Sequence, residues 1–110
     1  MNLKEILEKD GVPAYTSGSF ANIKNVPSPL WIFTNMMTDN YSYDDGVQIE
    51  VLHYTIALYG TNPIGLRDQV KAKQKELIAL GAFCGGIVDV MSDDPLMKGY
   101  GFECNLIQKY

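Results

Sequence analysis

The stretch VQIEVLHYTIALY, residues 47–59, decides the fold. Apolar residues alternate with polar ones at the two-residue period of a strand, first as Val47, Ile49 and Val51, then as Leu52, Tyr54, Ile56 and Leu58. The phase changes between Val51 and Leu52, so the apolar side of the strand becomes the other side at that step. A β-bulge would do this by inserting one unpaired residue, and a central strand covered on both faces would tolerate it. The length adds a second constraint. Thirteen residues at about 3.3 Å each span roughly 43 Å, whereas a compact chain of this size has a diameter of about 34 Å. The strand must therefore bend, or part of it must project from the body.

Working upstream, residues 35–46 are polar and turn-rich, with Asp39, Asn40, Asp44, Asp45 and Gly46, and are expected to form an exposed loop or an irregular hairpin. Residues 30–34 contain Trp31, Ile32 and Phe33 and suit a short strand buried on both faces. A further strand over residues 15–20 is a weaker expectation. At the start, Leu3, Ile6 and Leu7 fall on one face of a short helix over residues 2–10, where Asn2 and Glu5 have capping-box spacing and Gly11 with Pro13 ends the run.

Downstream of Gly60, Asn62 is a good N-cap, Pro63 suits the first helical position and Gly81 is placed to terminate the helix. Leu66, Val70, Leu77, Ile78 and Leu80 make its predicted apolar stripe, against Arg67, Asp68, Lys71, Lys75 and Glu76 outside. Two strands close the chain, residues 83–91 and 100–108, joined through Ser92, Asp93, Asp94 and Pro95. In the last strand Phe102, Cys104 and Leu106 alternate with Glu103 and Asn105, predicting one wet face. The expected fold class is α+β: a mixed or mainly antiparallel sheet with an N-terminal helix and one longer amphipathic helix packed on it. At 110 residues the chain is the size of one domain, taken as residues 1–110.

Composition narrows the function. Hydrophobic residues at 46% and charged residues at 20% are ordinary for a globular chain and argue against disorder. A net charge of -4 opposes nucleic-acid binding as the default, because phosphate contacts need concentrated Lys and Arg. The cations at Arg67, Lys71, Lys73 and Lys75 are interleaved with Asp68 and Glu76, as on a solvated helix face. No secretory signal pattern and no apolar run long enough to span a bilayer are present, so cytoplasmic synthesis is expected. Cys84 and Cys104 lack the close spacing of a zinc site and are expected as buried free thiols.

Catalytic patterns fare poorly. His53 is the only histidine and lies inside the long strand, where a surface or hydrogen-bonded structural role is expected. Aligning Gly46 with the glycine of a calcium loop puts Tyr41, Tyr43 and Leu52 where oxygen ligands are required. Gly85 and Gly86 sit within a strand pattern, which fits a bulge or a close backbone approach better than a phosphate cradle. No catalytic, cofactor-binding or metal-binding residue is assigned, no cofactor is expected, and the chain is read as a non-enzyme. Asp39, Tyr41, Tyr43, Asp44, Asp45 and Tyr54 are the candidate interface residues, from the polar loop and the tyrosines beside it. For the tyrosines, packing at strand edges is an equal alternative.

Residues 29–110 as a whole resemble the small tail-completion or tail-terminator proteins of long-tailed phages and prophages. The likeness is one of layout. An N-terminal helix precedes the apolar strand Pro29-Leu-Trp-Ile-Phe33, and a polar stretch with Asp39-Asn40 and Asp44-Asp45-Gly46 follows. The long strand then ends in Ala57-Leu-Tyr-Gly60, a single amphipathic helix runs to Gly81, and a closing strand pair runs from Gly101-Phe102 to a terminal Tyr110. The resemblance implies a homo-oligomeric ring, usually a hexamer, that caps the tail tube and joins it to the head. It implies tail-tube and head-connector partners, a place in the virion at the head–tail junction after synthesis in a bacterial host, and no active site. Another head–tail connector component is the nearest alternative within that group. Outside it stand a small-ligand or regulatory domain with a pocket around Trp31, Tyr54 and Phe102, and, less favoured, an enzyme.

Overall fold

The computed structural model describes residues 2–16, 28–42, 46, 48–62, 64–90 and 97–109. Two helices and six strands follow in the order α1 (Leu3–Glu8), β1 (Ala14–Thr16), β2 (Leu30–Ser42), β3 (Gln48–Gly60), α2 (Leu66–Ala79), β4 (Phe83–Cys84), β5 (Val88–Val90) and β6 (Lys98–Lys109). They form one mixed sheet in the order β1-β2-β3-β6, with β4 and β5 both paired to the outer side of β6. Only β1 and β2 run parallel. The fold class is α+β, as the element pattern predicts.

Strand pairing assigns each residue to a face. Trp31, Leu58 and Tyr100 are aligned across β2, β3 and β6, as are Phe33, Ile56 and Phe102. Trp31, Leu58, Phe33, Ile56 and Phe102 join Cys104 and Leu106, Leu66, Val70 and Leu77 of α2, and Leu3 and Leu7 of α1 in one buried cluster. The helices therefore lie on this face. The buried trio Phe102, Cys104 and Leu106 fulfils the one-sided alternation expected of the last strand.

Local chemistry sets the helix ends. The Asn2 side chain accepts a hydrogen bond from the Glu5 amide at 3.2 Å and opens α1 as expected. The start of α2 is a correction. Asn62 Oδ1 instead accepts from the Ile64 amide at 3.1 Å, closing a turn of its own, and Gly65 with φ 81° occupies the N-cap of a helix that begins at Leu66. Pro63, expected at the first helical position, lies outside the described residues. At the far end Gly81 adopts φ 99° and donates to the Ile78 carbonyl, while Ala82 donates to that of Leu77. This bond pair is a Schellman motif, and Leu77 and Ala82, the two positions that commonly pack together in it, are both buried.

The predicted stripe of α2 is also revised. Ile78 and Leu80 are each half exposed, and the buried positions are Leu66, Val70, Lys73 and Leu77. Lys73 is 2% exposed and threads its stem through the stripe to reach α1. Its ammonium donates to the Ile6 carbonyl (2.8 Å), Asp10 Oδ2 (3.0 Å) and Glu76 Oε2 (3.0 Å). Three acceptors satisfy the three donors of the ammonium, so the charge is buried but paired.

Strand pairing decides two further expectations. Of the two alternatives expected for residues 35–46, the irregular hairpin is the one found as far as Ser42: residues 35–42 are the outer half of β2, paired antiparallel with β3 along one side and bulged between Asn35 and Met37. The strand expected over residues 83–91 is interrupted at Gly85 and Gly86, with β4 and β5 as separate short pieces. Gly85 is held there from two sides, its amide donating to the Glu103 carbonyl at 2.8 Å and its own carbonyl accepting from Gln74 Nε2. Glycine is required for space on β6: a Cβ on Gly101 would come within 2.7 Å of the Ile56 carbonyl oxygen, and one on Gly99 within 2.6 Å of the Tyr59 ring. The joint at Ser92–Pro95 and most of the weak strand over residues 15–20 lie outside the described residues; β1 ends at Thr16.

Candidate functional site: a projecting three-stranded ribbon

The radius of gyration is 15.1 Å and the longest dimension 52 Å, against roughly 13 Å for the radius of a compact chain of this length. Burial falls away toward one end of β2, β3 and β6: Cys104 and Leu106 are still in the core, whereas Thr38, Asn40, Tyr41 and Ser42 are exposed, so a short three-stranded ribbon extends beyond the buried cluster. Pairing of β3 to β6 is unbroken from Ile49↔Lys109 to Gly60↔Lys98. The one irregularity against β2 lies between Asn35 and Met37, where Met36 is the extra residue. The bulge that the phase change in residues 47–59 allowed is therefore not in β3 but on its neighbour. In β3 itself the strand is central and stays regular, and the apolar side chains do change face. Leu52, Tyr54, Ile56 and Leu58 turn toward the helices, whereas Ile49 and Val51 turn away.

On the face turned away, cross-strand rows follow from the pairing: Met37, His53 and Asn105; Asp39, Val51 and Ile107; and, farther out, Tyr41 with Ile49. Met37 is 54% exposed, Tyr41 49% and Ile107 47%. Apolar side chains thus cluster on a surface that the protein's own core does not use. The edges are open too. β1 covers β2 only from Trp31 to Phe33, and β4 reaches β6 only as far as Asn105, so among the described residues no strand pairs with Thr34–Ser42 on its outer side or with β6 beyond Asn105. Unpaired edges with their rows of amides and carbonyls are templates for another chain.

His53 holds this ribbon in register. Its Nε2 lies 2.9 Å from Asp39 Oδ2 on β2, and its Nδ1 2.8 Å from Asn105 Oδ1 on β6. The ring donates to the carboxylate through Nε2. Nδ1 either carries a second proton and donates to the Asn105 carbonyl oxygen, or accepts from the amide group of Asn105 turned end for end. In both arrangements the two ring nitrogens are engaged, leaving none for a substrate. His53 is thus the hydrogen-bonded structural histidine expected from its strand setting.

Of the candidate interface residues, Asp39 and Tyr41 share the outward face of the ribbon, two residues apart on β2. Tyr54 is separated from them: it lies half-buried on the helix face, its ring tilted against Phe33 at a centroid distance of 6.3 Å. Tyr43, Asp44 and Asp45 lie outside the described residues. Sequence reasoning missed Met37, Ile49, Val51 and Ile107 as surface, although the Val51–Leu52 phase change was their signal. Trp31 and Phe102 are each 2% exposed, so the sheet around them is filled by the core. A groove of about 320 Å³ lies beside β5, and its lining includes Phe102 with Thr55, Gly85, Val88, Val90 and Glu103, but not Trp31 or Tyr54.

Among the described residues no group of three or more His, Cys, Asp or Glu side chains is placed to hold a metal ion, and no helix is long and apolar enough to cross a membrane. Cys104 is buried and Cys84 partly so, both as free thiols. Burial, with a smaller contribution from the nearby Cys84, pushes the Cys104 thiol up to about 12, and burial also raises Cys84. In comparison with known proteins, no family model matches the chain and no curated protein matches it significantly.

Proposed function

We propose that this chain is a structural assembly subunit, a tail-completion or tail-terminator protein of a long-tailed phage or prophage. In this reading it forms a homo-oligomeric ring, a hexamer, that caps the tail tube and joins it to the head at the head–tail junction. The ring contacts tail-tube and head-connector proteins, reads no nucleic-acid sequence, needs no cofactor and performs no catalysis.

The observation that carries the reading is the change of face within β3. A monomer has no use for Ile49 and Val51 on the side away from its helices, beside an exposed Ile107, Met37 and Tyr41. A subunit that is completed by neighbours does. The resemblance of the sequence layout to tail terminators is what directs this general reading to a particular assembly. Light scattering on the purified chain, alone and mixed with tail-tube subunits of the phage or prophage that encodes it, tests the proposal. A discrete ring that seats on the tube end is expected. A strict monomer at high concentration that ignores the tube would refute it.

A further inference from the structure

Cys84 and Cys104 are twenty residues apart in sequence yet directly opposite each other on β4 and β6. The Gly85 amide donates to the Glu103 carbonyl at 2.8 Å, which makes the neighbouring Cys84–Cys104 pair a non-hydrogen-bonded one. In such pairs the Cα atoms approach to about 4.5 Å and the side chains lie closest, within the span that a disulfide bridges. The two sulfurs are 3.7 Å apart. Cys104 is fully enclosed in the core, whereas Cys84 is partly open to solvent. Cys84 is thus the residue of the pair nearer to solvent, and the Cys104 sulfur is close enough to resolve what forms on it.

We propose that Cys84 and Cys104 form a dithiol modification site that a low-molecular-weight disulfide, such as oxidised glutathione, converts to a cross-strand disulfide. The Cys84 thiolate attacks the incoming disulfide, forms a mixed disulfide and releases one thiolate. Cys104 then gives up its proton and attacks Cys84 Sγ, closing the Cys84–Cys104 bond and releasing the second thiolate. The two protein protons end on the two released thiols; the protein pair loses two electrons and the reagent gains them. The consequence is structural. β4 is only two residues long, and the bond would fasten it, and with it the chain leaving α2, to the long strand β6. This site is independent of the assembly reading, since it lies on the helix face of the sheet rather than on the outward face of the ribbon.

The test is exposure of reduced protein to oxidised glutathione at mildly alkaline pH, followed by intact mass and peptide mapping without reductant. Loss of two hydrogens per chain, a crosslinked peptide joining Cys84 to Cys104, and a melting temperature raised by several degrees until reductant is added are expected. Cys84→Ser should show neither the crosslink nor the shift, and Cys104→Ser should stop at a stable glutathione adduct on Cys84. A stable adduct on Cys84 in the unaltered protein, a disulfide between chains, or no reaction once the protein is shown to remain folded would overturn the proposal.

Discussion

Val51 and Ile107 stand directly opposite each other on β3 and β6, on the side of the sheet turned away from α2. Their neighbours in sequence, Leu52 and Leu106, form the corresponding pair on the other side, and Leu106 is buried in the core. Two adjacent rungs of the same ribbon therefore put apolar pairs on opposite faces, one satisfied within the chain and one not.

His53 ties all three strands of the ribbon together through Asp39 and Asn105. Substituting His53→Ala removes both side-chain bonds at a partly exposed site and is expected to cost about 1 kcal/mol. The loss should be local. Amide exchange should quicken in residues 37–42 and 105–109 while the amides around Ile56 and Phe102 keep their protection, a pattern read by hydrogen-exchange mass spectrometry.

Lys73 is the anchor of α1 on α2. Lys73→Ala leaves the Ile6 carbonyl, Asp10 and Glu76 without their shared cation. Asp10 is largely exposed and Glu76 partly so, which lets water recover part of the loss. A destabilisation of about 2 kcal/mol in urea is expected, with Lys73→Met milder because it keeps the buried stem.

The glycines of β6 differ in what surrounds them. At Gly101 the nearest obstacle to a Cβ is the Ile56 carbonyl oxygen at 2.7 Å, in the central strand, which cannot move without disturbing the sheet; at Gly99 the nearest is the Tyr59 side chain at 2.6 Å, with the Val90 carbonyl oxygen farther off at 3.0 Å. Gly101→Ala should therefore cost about 2–3 kcal/mol and Gly99→Ala distinctly less. Urea titrations of the two variants beside the unaltered protein measure the difference.

The fold was legible where local chemistry is decisive. Asn2 and Gly81 marked helix ends because capping depends on a few neighbouring residues, and the alternation of Phe102, Cys104 and Leu106 gave the buried face of β6 directly. Residues 35–42 left a loop and an irregular hairpin equally open because their polarity suits either; pairing with β3 decides for the hairpin. Lys73 was hidden for a similar reason, since its acceptors on α1 are distant in sequence. The candidate site was half legible. The phase change at Val51 and Leu52 showed that β3 turns apolar side chains to both faces, but which face the core leaves uncovered, the partners Ile107 and Met37, and the Cys84–Cys104 contact all depend on strand register, which one sequence does not reveal.

Alkaline pH should weaken the fold through the thiols. Cys104 is held up to about 12, above its ordinary value near 9, and Cys84 is also raised, in both cases chiefly by burial. The folded state thus keeps protons that the unfolded chain releases first. The contribution is fully present below about pH 9 and is lost as pH rises toward 12. Comparing urea midpoints between pH 8 and 11 for the reduced protein and for Cys104→Ala should show the steeper decline in the former.

The most direct test of assembly through the outward face of the ribbon is the molar mass, by light scattering after size exclusion, of the unaltered chain and of a Val51→Thr, Ile107→Lys variant at equal concentration. Threonine keeps the β-branched shape at the half-buried Val51, and lysine replaces a side chain that is 47% exposed, so the two changes together should cost roughly 1 kcal/mol. A discrete multiple of the subunit mass is expected for the unaltered chain and a folded monomer for the variant. The same mass for both proteins, whether ring or monomer, would contradict assembly through this face.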